Sequence, residues 1–228
     1  HKSSPITMSV NPALILYSYW RSSAAWRVRI GLNLKELKYE YQAVNLIEDG
    51  GQQYKPEYGE KNPMHLVPSL QVGEHVLTES VAILEYLDET YTSGVSLLPK
   101  DPFLKAKVRE IVNVVACDIH PVQNLRVVAK VEKDFGASRV AWGKFWVEQG
   151  FAGLEKIVAK SSGKYAVGDS ITMADILIVP QVMAAVSRYA TKAEDFPNLF
   201  RVAQEASKLE AFQKAEPKNQ PDTPAENK

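Results

Sequence analysis

Two adjacent hydroxyls, those of Ser22 and Ser23, stand at the predicted start of a helix, directly after a short apolar run. A serine at a helix start normally caps the helix, because its oxygen accepts a hydrogen bond from a free backbone N–H. The same position carries the positive end of the helix dipole, which favours an anion and lowers the pKa of a thiol placed there. Ser22 and Ser23 are therefore either simple caps or caps that also hold the sulfur of a bound small molecule.

Two further pairs of residues favour the second interpretation. Val67 and Pro68 precede a predicted strand, and a cis proline at this place in a thioredoxin-like domain presents the preceding backbone to a peptide-like ligand. Glu79 and Ser80 stand at the start of the next predicted helix, where they can bind an ammonium and a carboxylate. Each pair alone is more typical of a trans turn or a helix cap. Together, in this order, they fit a γ-glutamyl tripeptide.

The sequence offers few other sources of chemistry. The four histidines are scattered along the chain, and no spacing of His or Cys resembles a metal site. There is neither a phosphate-binding glycine loop nor a Gly-x-Ser-x-Gly elbow. Self-contained nucleophilic catalysis and metal catalysis are therefore not expected, and no bound metal is predicted.

Composition argues against several partners. The 27 basic and 27 acidic residues balance, so the chain has no net field to attract nucleic acid or an anionic membrane, and no apolar run is long enough to span a bilayer. Cys117 is the only cysteine, which excludes an intrachain disulfide and favours the cytoplasm; its neighbours predict a small core residue. Residues 1–7, before Met8, are either natural or the remnant of a tag.

The predicted elements place the two helix starts in one small α/β domain. Strands are predicted over 13–18, 39–46, 69–72 and 75–78, with one helix after the first strand and another after the last. The first helix makes the first two strands parallel. The loop Gly73-Glu74 suits a type II′ hairpin. This order, βαβ followed by ββα, is that of a thioredoxin-like domain.

Beyond a linker-like stretch near residues 91–100, the apolar residues recur with a helical period and no strand is predicted. Asp101 and Pro102 open the first of these helices. We therefore predict an α/β plus all-α protein, in which a thioredoxin-like domain precedes a helical-bundle domain. The predicted ranges are 12–92 for the first domain, 101–216 for the second, and 1–11 and 217–228 for the tails, with the C-terminal tail loosely held.

Seven segments, in chain order, resemble the zeta class of the glutathione transferases. They are YSYWRSS and WRVRI (within 17–30), VNLIEDGGQQ (44–53), NPMHLVPSL (62–70), ESVAILEYL (79–87), HPVQNL (120–125), KYAVGDSITMAD (164–175) and QPDTP (220–224). The resemblance runs from about residue 14 to residue 224, nearly the whole chain. It implies the glutathione transferase fold, glutathione as cofactor and a homodimer.

The resemblance also implies roles for individual residues. Ser22 would donate a hydrogen bond to the glutathione sulfur, with Ser23 beside it. Arg188 would face a small acidic, electrophilic substrate, and Arg21 is either a second contact for that substrate or a surface residue. The residues that would hold the tripeptide are Gln53, Val67 through its backbone, Pro68, Glu79, Ser80 and, from the helical domain, Asn124.

Two positions depart from the family pattern. The family motif reads Ser-Ser-Cys where this chain has Ala24 in the third place, and the family has Gln where this chain has His120. His120 either keeps a hydrogen bond to the ligand or only ends a helix. Ala24 replaces a thiol associated with isomerisation, and it is either natural or engineered.

The function that the resemblance implies is glutathione-dependent cis–trans isomerisation of maleylacetoacetate to fumarylacetoacetate, a step of tyrosine and phenylalanine catabolism. Transfer of glutathione to small electrophiles such as α-halo acids would accompany it. Two alternatives stay open. One is a glutathione transferase with little isomerase activity, because Ala24 replaces the cysteine. The other is a non-catalytic glutathione-binding or assembly module of the same fold.

Overall fold

A four-stranded mixed sheet forms the N-terminal part of the computed structural model, which describes residues 12–228. The strands are β1 (Leu14–Ser18), β2 (Glu40–Ala43), β3 (Ser69–Val72) and β4 (His75–Thr78), in the spatial order β2-β1-β3-β4. β1 is parallel to β2 and antiparallel to β3, and β3 is antiparallel to β4. The predicted parallel pairing of β1 with β2 and the predicted β3–β4 hairpin are thus confirmed. The question whether residues 1–7, before Met8, are natural or the remnant of a tag lies outside the described residues.

Two local details of the sheet bear on the predictions. Gly73 has a φ of +60°, and Glu74 is not among the residues of positive φ, as a type II′ turn requires. β2 is shorter than predicted because β1 ends at Ser18. Val44 still donates its N–H to the Ser18 carbonyl over 2.8 Å, and the chain beyond it has no neighbouring strand to pair with.

Three helices accompany the sheet: α1 (Ser23–Leu34), α2 (Pro56–Gly59) and α3 (Ser80–Thr90). α1 is buried on nearly every side, because it contributes to two apolar cores. Val28 and Leu32 pack in the core of the sheet, whereas Trp26 and Ile30 belong to the larger core of the helical part. α1 therefore connects the two halves of the molecule, and its N terminus lies where they meet.

The C-terminal half is helical. Its helices are α4 (Pro102–Asn113), α5 (Leu125–Phe135), α6 (Arg139–Ser161), α7 (Met173–Tyr189), α8 (Pro197–Ser207) and α9 (Glu210–Ala215). Asp101 caps α4 as predicted, accepting a hydrogen bond from the Leu104 N–H over 2.8 Å. α4 continues as a π-helical segment, Val114–Ile119. Within residues 12–228, none of the helices is long and apolar enough to cross a membrane.

Cys117 is exposed, so its prediction as a core residue is wrong. The buried stripe of this helix runs through Val108, Ile111, Val112 and Val115. Val115 and Ile119 are buried, whereas Cys117, midway between them in the π-helical segment, lies on the opposite side of the helix and is exposed. The apolar neighbours in sequence were therefore a poor guide to its environment.

The C-terminal tail is held against the sheet, and its prediction as loosely held is wrong. The Asp222 carboxylate accepts hydrogen bonds from the Trp20 N–H over 2.9 Å and from the Tyr41 hydroxyl over 2.7 Å. Gln220 and Thr223 are both buried. Because Trp20 immediately precedes Arg21 and Ser22, the tail braces the loop that leads into α1. The proposed domain limits, 12–92 and 101–216, stay predictions.

Candidate active site

Ser22, one of the two serines predicted to cap the helix, is the N-cap of α1. Its backbone is extended, and its Oγ accepts a hydrogen bond from the Ala25 N–H over 3.2 Å. Because the oxygen accepts this capping bond, the hydroxyl proton is left to donate to another group. Ser23, the first residue of the helix, is 3% exposed. The two hydroxyls therefore differ: the hydroxyl of half-buried Ser22 combines a cap with a free donor, and that of Ser23 is buried.

Two cavities meet at this helix start. The first, here called the arginine cavity, has a volume of about 220 Å³. It brings together six of the predicted site residues, together with apolar side chains from Leu46, Ile47, Leu125 and Val128. Those six are Arg21, Ser22, Ser23, His120, Asn124 and Arg188.

The second cavity, here called the cis-proline cavity, has a volume of about 260 Å³. Seven predicted site residues line it: Ala24, Val67, Pro68, Glu79, Ser80, His120 and Asn124. The Val67–Pro68 peptide bond is cis, as predicted. His120 and Asn124 line both cavities, so the two are neighbours, with Ser22 in the first and Ala24 in the second.

Glu79 has the backbone conformation of a residue held in place by its surroundings. Its φ is +67°, a left-handed value that a side chain other than glycine adopts at a cost of about 1–3 kcal/mol. Its side chain makes no capping hydrogen bond to α3, and the residue is exposed beside buried Ser80. A carboxylate and a hydroxyl thus stand together at the start of α3, in the cis-proline cavity.

Gln53 is the one predicted site residue that lines neither cavity. It is 7% exposed, its Nε2 donates to the Leu46 carbonyl over 3.4 Å, and its Oε1 has no hydrogen-bond partner. Leu46 itself lines the arginine cavity. Gln53 therefore lies behind the wall of the site, and its Oε1 is an unused hydrogen-bond acceptor.

His120 ends the π-helical segment and also faces the site, so both interpretations of its position apply. Its Nδ1 lies 3.5 Å from the Ser23 Oγ and 3.5 Å from the Gln123 Nε2. Removal from bulk water lowers the pKa of His120 well below its usual value of 6.5, and the nearby cations of Arg27 and Arg188 lower it further. The imidazole is accordingly neutral at neutral pH and acts as a hydrogen-bonding group.

The two arginines of the arginine cavity are coupled through the backbone. Arg188 is half-buried near the end of α7, and its Nη2 donates to the Arg21 carbonyl over 3.1 Å. Burial is the main cause that lowers the pKa of Arg188, with Arg21 adding to it. A pair of guanidinium groups around a partly apolar cavity suits a small anionic ligand.

The most informative residue that the sequence interpretation missed is Arg27. It lines the cis-proline cavity from α1 and is 2% exposed. The signal was present in the segment WRVRI, in which Arg27 and Arg29 occur in a helix otherwise rich in apolar residues. A charged residue amid such a helix calls for a specific partner when it is buried.

The unsatisfied groups of the site match a peptide with charged ends. The Nε and Nη2 of Arg27 have no partner among the described residues. Val67 forms no backbone hydrogen bond to any described residue, although it directly precedes the sheet. These groups fit a tripeptide bound as an added strand. Across residues 12–228, no group of His, Cys, Asp and Glu side chains could hold a metal ion.

Comparison with protein-family models gives two matches. Residues 12–89 match the glutathione S-transferase N-terminal domain. Residues 144–214 match the glutathione S-transferase C-terminal domain. The two matches together span more than half of the chain.

Relatives and solved structures agree with these models. The probable maleylacetoacetate isomerase 2 of Drosophila melanogaster is 47% identical over 212 residues, which cover 93% of this chain and 91% of that protein. The crystal structure of maleylacetoacetate isomerase from Anaeromyxobacter dehalogenans with glutathione in its active site is 40% identical, with a TM-score of 0.85 over 94% of this chain and 99% of that one. A bacterial zeta-class maleyl pyruvate isomerase is 39% identical, with a TM-score of 0.87 over 92% of this chain and 100% of that one.

Proposed function

Because this chain belongs to the glutathione S-transferase family, within its zeta class, we propose that it catalyses the glutathione-dependent cis–trans isomerisation of maleylacetoacetate to fumarylacetoacetate. The observation that carries the proposal is the junction of the two cavities at the N terminus of α1. The cis-proline cavity supplies groups for the tripeptide, and the arginine cavity supplies cations for an acidic substrate. Ser22 lines the arginine cavity at this helix start, and its hydroxyl proton is free to donate.

The residues of the cis-proline cavity would hold glutathione. The exposed carboxylate of Glu79 would pair with the γ-glutamyl ammonium, the backbone of Val67 would pair with the peptide, and Ser80 would donate to a carboxylate. When bound, glutathione supplies a thiolate that can add reversibly to an electrophilic double bond. Ser22 and the positive end of the α1 dipole would stabilise the negative charge on the sulfur.

The residues of the arginine cavity would orient the substrate. Arg188 and Arg21 would bind its carboxylates, and the apolar wall would cover its carbon chain. His120 is neutral at neutral pH and offers a hydrogen bond next to Ser23. Because glutathione supplies the thiol, the proposed reaction needs no protein nucleophile at position 24. The same arrangement would serve transfer of glutathione to small α-halo acids.

The Ala24→Cys variant tests whether a thiol at position 24 matters for isomerisation. We expect cis–trans isomerase turnover on maleylacetoacetate to differ from that of the unmodified chain by less than about threefold, because the nucleophile belongs to glutathione. The matched control is Ala24→Ser, which adds a similar volume without a thiol. The opposite result would be an unmodified chain that conjugates glutathione but isomerises nothing, together with an Ala24→Cys variant that isomerises. That result would establish the second candidate, a transferase that has lost isomerase activity with its cysteine.

We also propose that the protein is a homodimer and that it works in the cytoplasm. Phe103 and Leu104, in the first turn of α4, are 72% and 45% exposed, and the ion pair of Glu85 with Arg109 places α3 beside α4. Apolar side chains exposed together favour association. A cytoplasmic setting accords with Cys117 as the only cysteine, since disulfides are rare there.

The double variant Phe103→Glu with Leu104→Glu tests the dimer. Two carboxylates placed on this surface should prevent association, because burying them without partners is costly. Light scattering after gel filtration should give the mass of one chain for this variant and of two chains for the unmodified protein. Phe135→Glu, at a 79% exposed site at the end of α5, is the control and should remain dimeric. A dimer that survives the double variant would contradict this interface.

A further inference from the structure

Arg27 is a buried cation with an incomplete set of partners. It lies on the second turn of α1, is 2% exposed and lines the cis-proline cavity. Its Nη1 donates to the Ser80 Oγ over 3.2 Å. Its Nε and Nη2 have no hydrogen-bond partner, and within residues 12–228 it forms no ion pair. The guanidinium therefore uses one of its three nitrogens.

Arg29, two residues further along the same helix, shows what a satisfied buried arginine looks like here. It is fully buried as well. Its Nε donates to the Ala215 carbonyl over 3.0 Å, its Nη1 to the Ser18 Oγ over 3.1 Å, and its Nη2 to the Trp20 carbonyl over 3.1 Å. All three of its nitrogens are used within the protein. The unused nitrogens of Arg27 are thus explained by its position beside the cavity.

The charge of Arg27 persists at neutral pH. Burial lowers its pKa to about 10, and the negative charge of Glu79 opposes that effect. Glu79 is exposed and makes no ion pair with it. An unpaired charge in a protein interior is strongly unfavourable, so a fold that keeps one beside a cavity is arranged for a negative partner that enters the cavity.

The bond from Arg27 also determines what Ser80 can do. A hydroxyl has one proton to donate and lone pairs that accept. Because Arg27 donates to the Ser80 oxygen, the Ser80 proton is available for an acceptor on the cavity side. An anion bound there would receive a hydrogen bond from Ser80 and the attraction of the guanidinium behind it.

We propose that Arg27 is a positioning residue whose counter-ion is the γ-glutamyl α-carboxylate of bound glutathione, which it holds through Ser80 and through its own charge. The proposal rests on the proposed function, since it takes glutathione as the ligand of the cis-proline cavity. It predicts an unusual separation of effects: removal of the guanidinium weakens glutathione binding without weakening the ligand-free fold.

The test compares Arg27→Met with Arg29→Met by calorimetric titration with glutathione and by thermal unfolding without ligand. We expect Arg27→Met to raise the Kd for glutathione about 10- to 100-fold, to keep kcat at saturating glutathione within about threefold, and to melt at or above the temperature of the unmodified protein. Arg29→Met should melt several degrees lower and keep its Kd within about threefold. Unchanged glutathione binding by Arg27→Met, or a melting temperature as low as that of Arg29→Met, would overturn the proposal.

A second arm uses glutathione analogues, and its main comparison is made on the unmodified protein, so that this comparison does not depend on the fold of Arg27→Met. A glutathione analogue with an amide in place of the γ-glutamyl α-carboxylate should bind the unmodified protein about 10- to 100-fold more weakly than glutathione. The reference is the analogue with its glycine carboxylate amidated. Relative to glutathione, its affinity should fall by the same factor on the unmodified protein and on Arg27→Met. Equal binding of glutathione and the γ-glutamyl amide overturns the role of Arg27 alone, whereas no binding of glutathione overturns the proposed function as well.

Discussion

A Ser22→Asp variant should fold with its helix cap intact and lose about two orders of magnitude in glutathione-dependent turnover. Aspartate caps a helix about as well as serine does, and its charge suits a helix N terminus. The carboxylate has no proton to donate at neutral pH, however, and it repels a thiolate. Removal of one donor from a developing negative charge typically costs a factor of about 10² to 10³ in kcat, and we expect a loss in that range.

Steady-state kinetics together with urea unfolding would check this expectation. The free energy of unfolding of Ser22→Asp should stay within about 0.5 kcal/mol of the unmodified value. Ser22→Ala is the companion variant, because it loses both the cap to the Ala25 N–H and the donor. It should therefore lose about 1 kcal/mol of stability as well as turnover. If the serine is only a cap, Ser22→Asp will be as active as the unmodified protein.

Replacement of Arg188 by Met should raise the KM for the acidic substrate about 10- to 100-fold, because a charge-assisted hydrogen bond to a carboxylate is lost. Methionine keeps the aliphatic bulk in the wall of the arginine cavity and removes only the guanidinium. The bond from Arg188 to the Arg21 carbonyl, 3.1 Å long, is lost with it, so the loop before Ser22 also loses one support.

Two comparisons make the Arg188 prediction specific. Conjugation of glutathione to an uncharged electrophile should change by less than about threefold in the same variant, because no carboxylate has to be bound. Arg201→Met is the control at a remote arginine, whose Nη1 bonds to the Gly163 carbonyl over 2.9 Å, and it should leave both substrates unaffected. Equal losses for the acidic and the uncharged substrate would mean that Arg188 acts on the fold of the site and does not bind the carboxylate.

The sequence predicted those parts of the molecule that depend on neighbouring residues. The cap at Ser22, the hairpin turn at Gly73 and the cap at Asp101 each follow from a short local signal, and each is present in the structure. The parallel pairing of β1 and β2 followed as well, because a helix between two strands favours a parallel pair. The resemblance to a family also predicted site residues that are distant from one another in sequence, and most of them line the two cavities.

The parts that the sequence did not predict depend on contacts over long distances along the chain. Asp222 bonds to Trp20 across 202 residues of sequence, and nothing in a polar tail indicates such a partner. Cys117 sits among apolar residues in sequence yet faces outward. The meeting of the arginine cavity and the cis-proline cavity at His120 likewise requires that α1, the π-helical segment and α7 pack together.

The pKa of the thiol of bound glutathione provides the most direct test of the claim that the start of α1 ionises glutathione. The pKa of its thiol can be measured by following the ultraviolet absorbance of the thiolate against pH, in the complex with the unmodified protein and with Ser22→Asp. A free thiol of the cysteine type has a pKa of about 8.5. We predict a value lower by at least about one unit in the unmodified complex and a return to about 8.5 or above with Ser22→Asp. A bound thiol that titrates like the free one in the unmodified protein would contradict the claim that the start of α1 ionises glutathione.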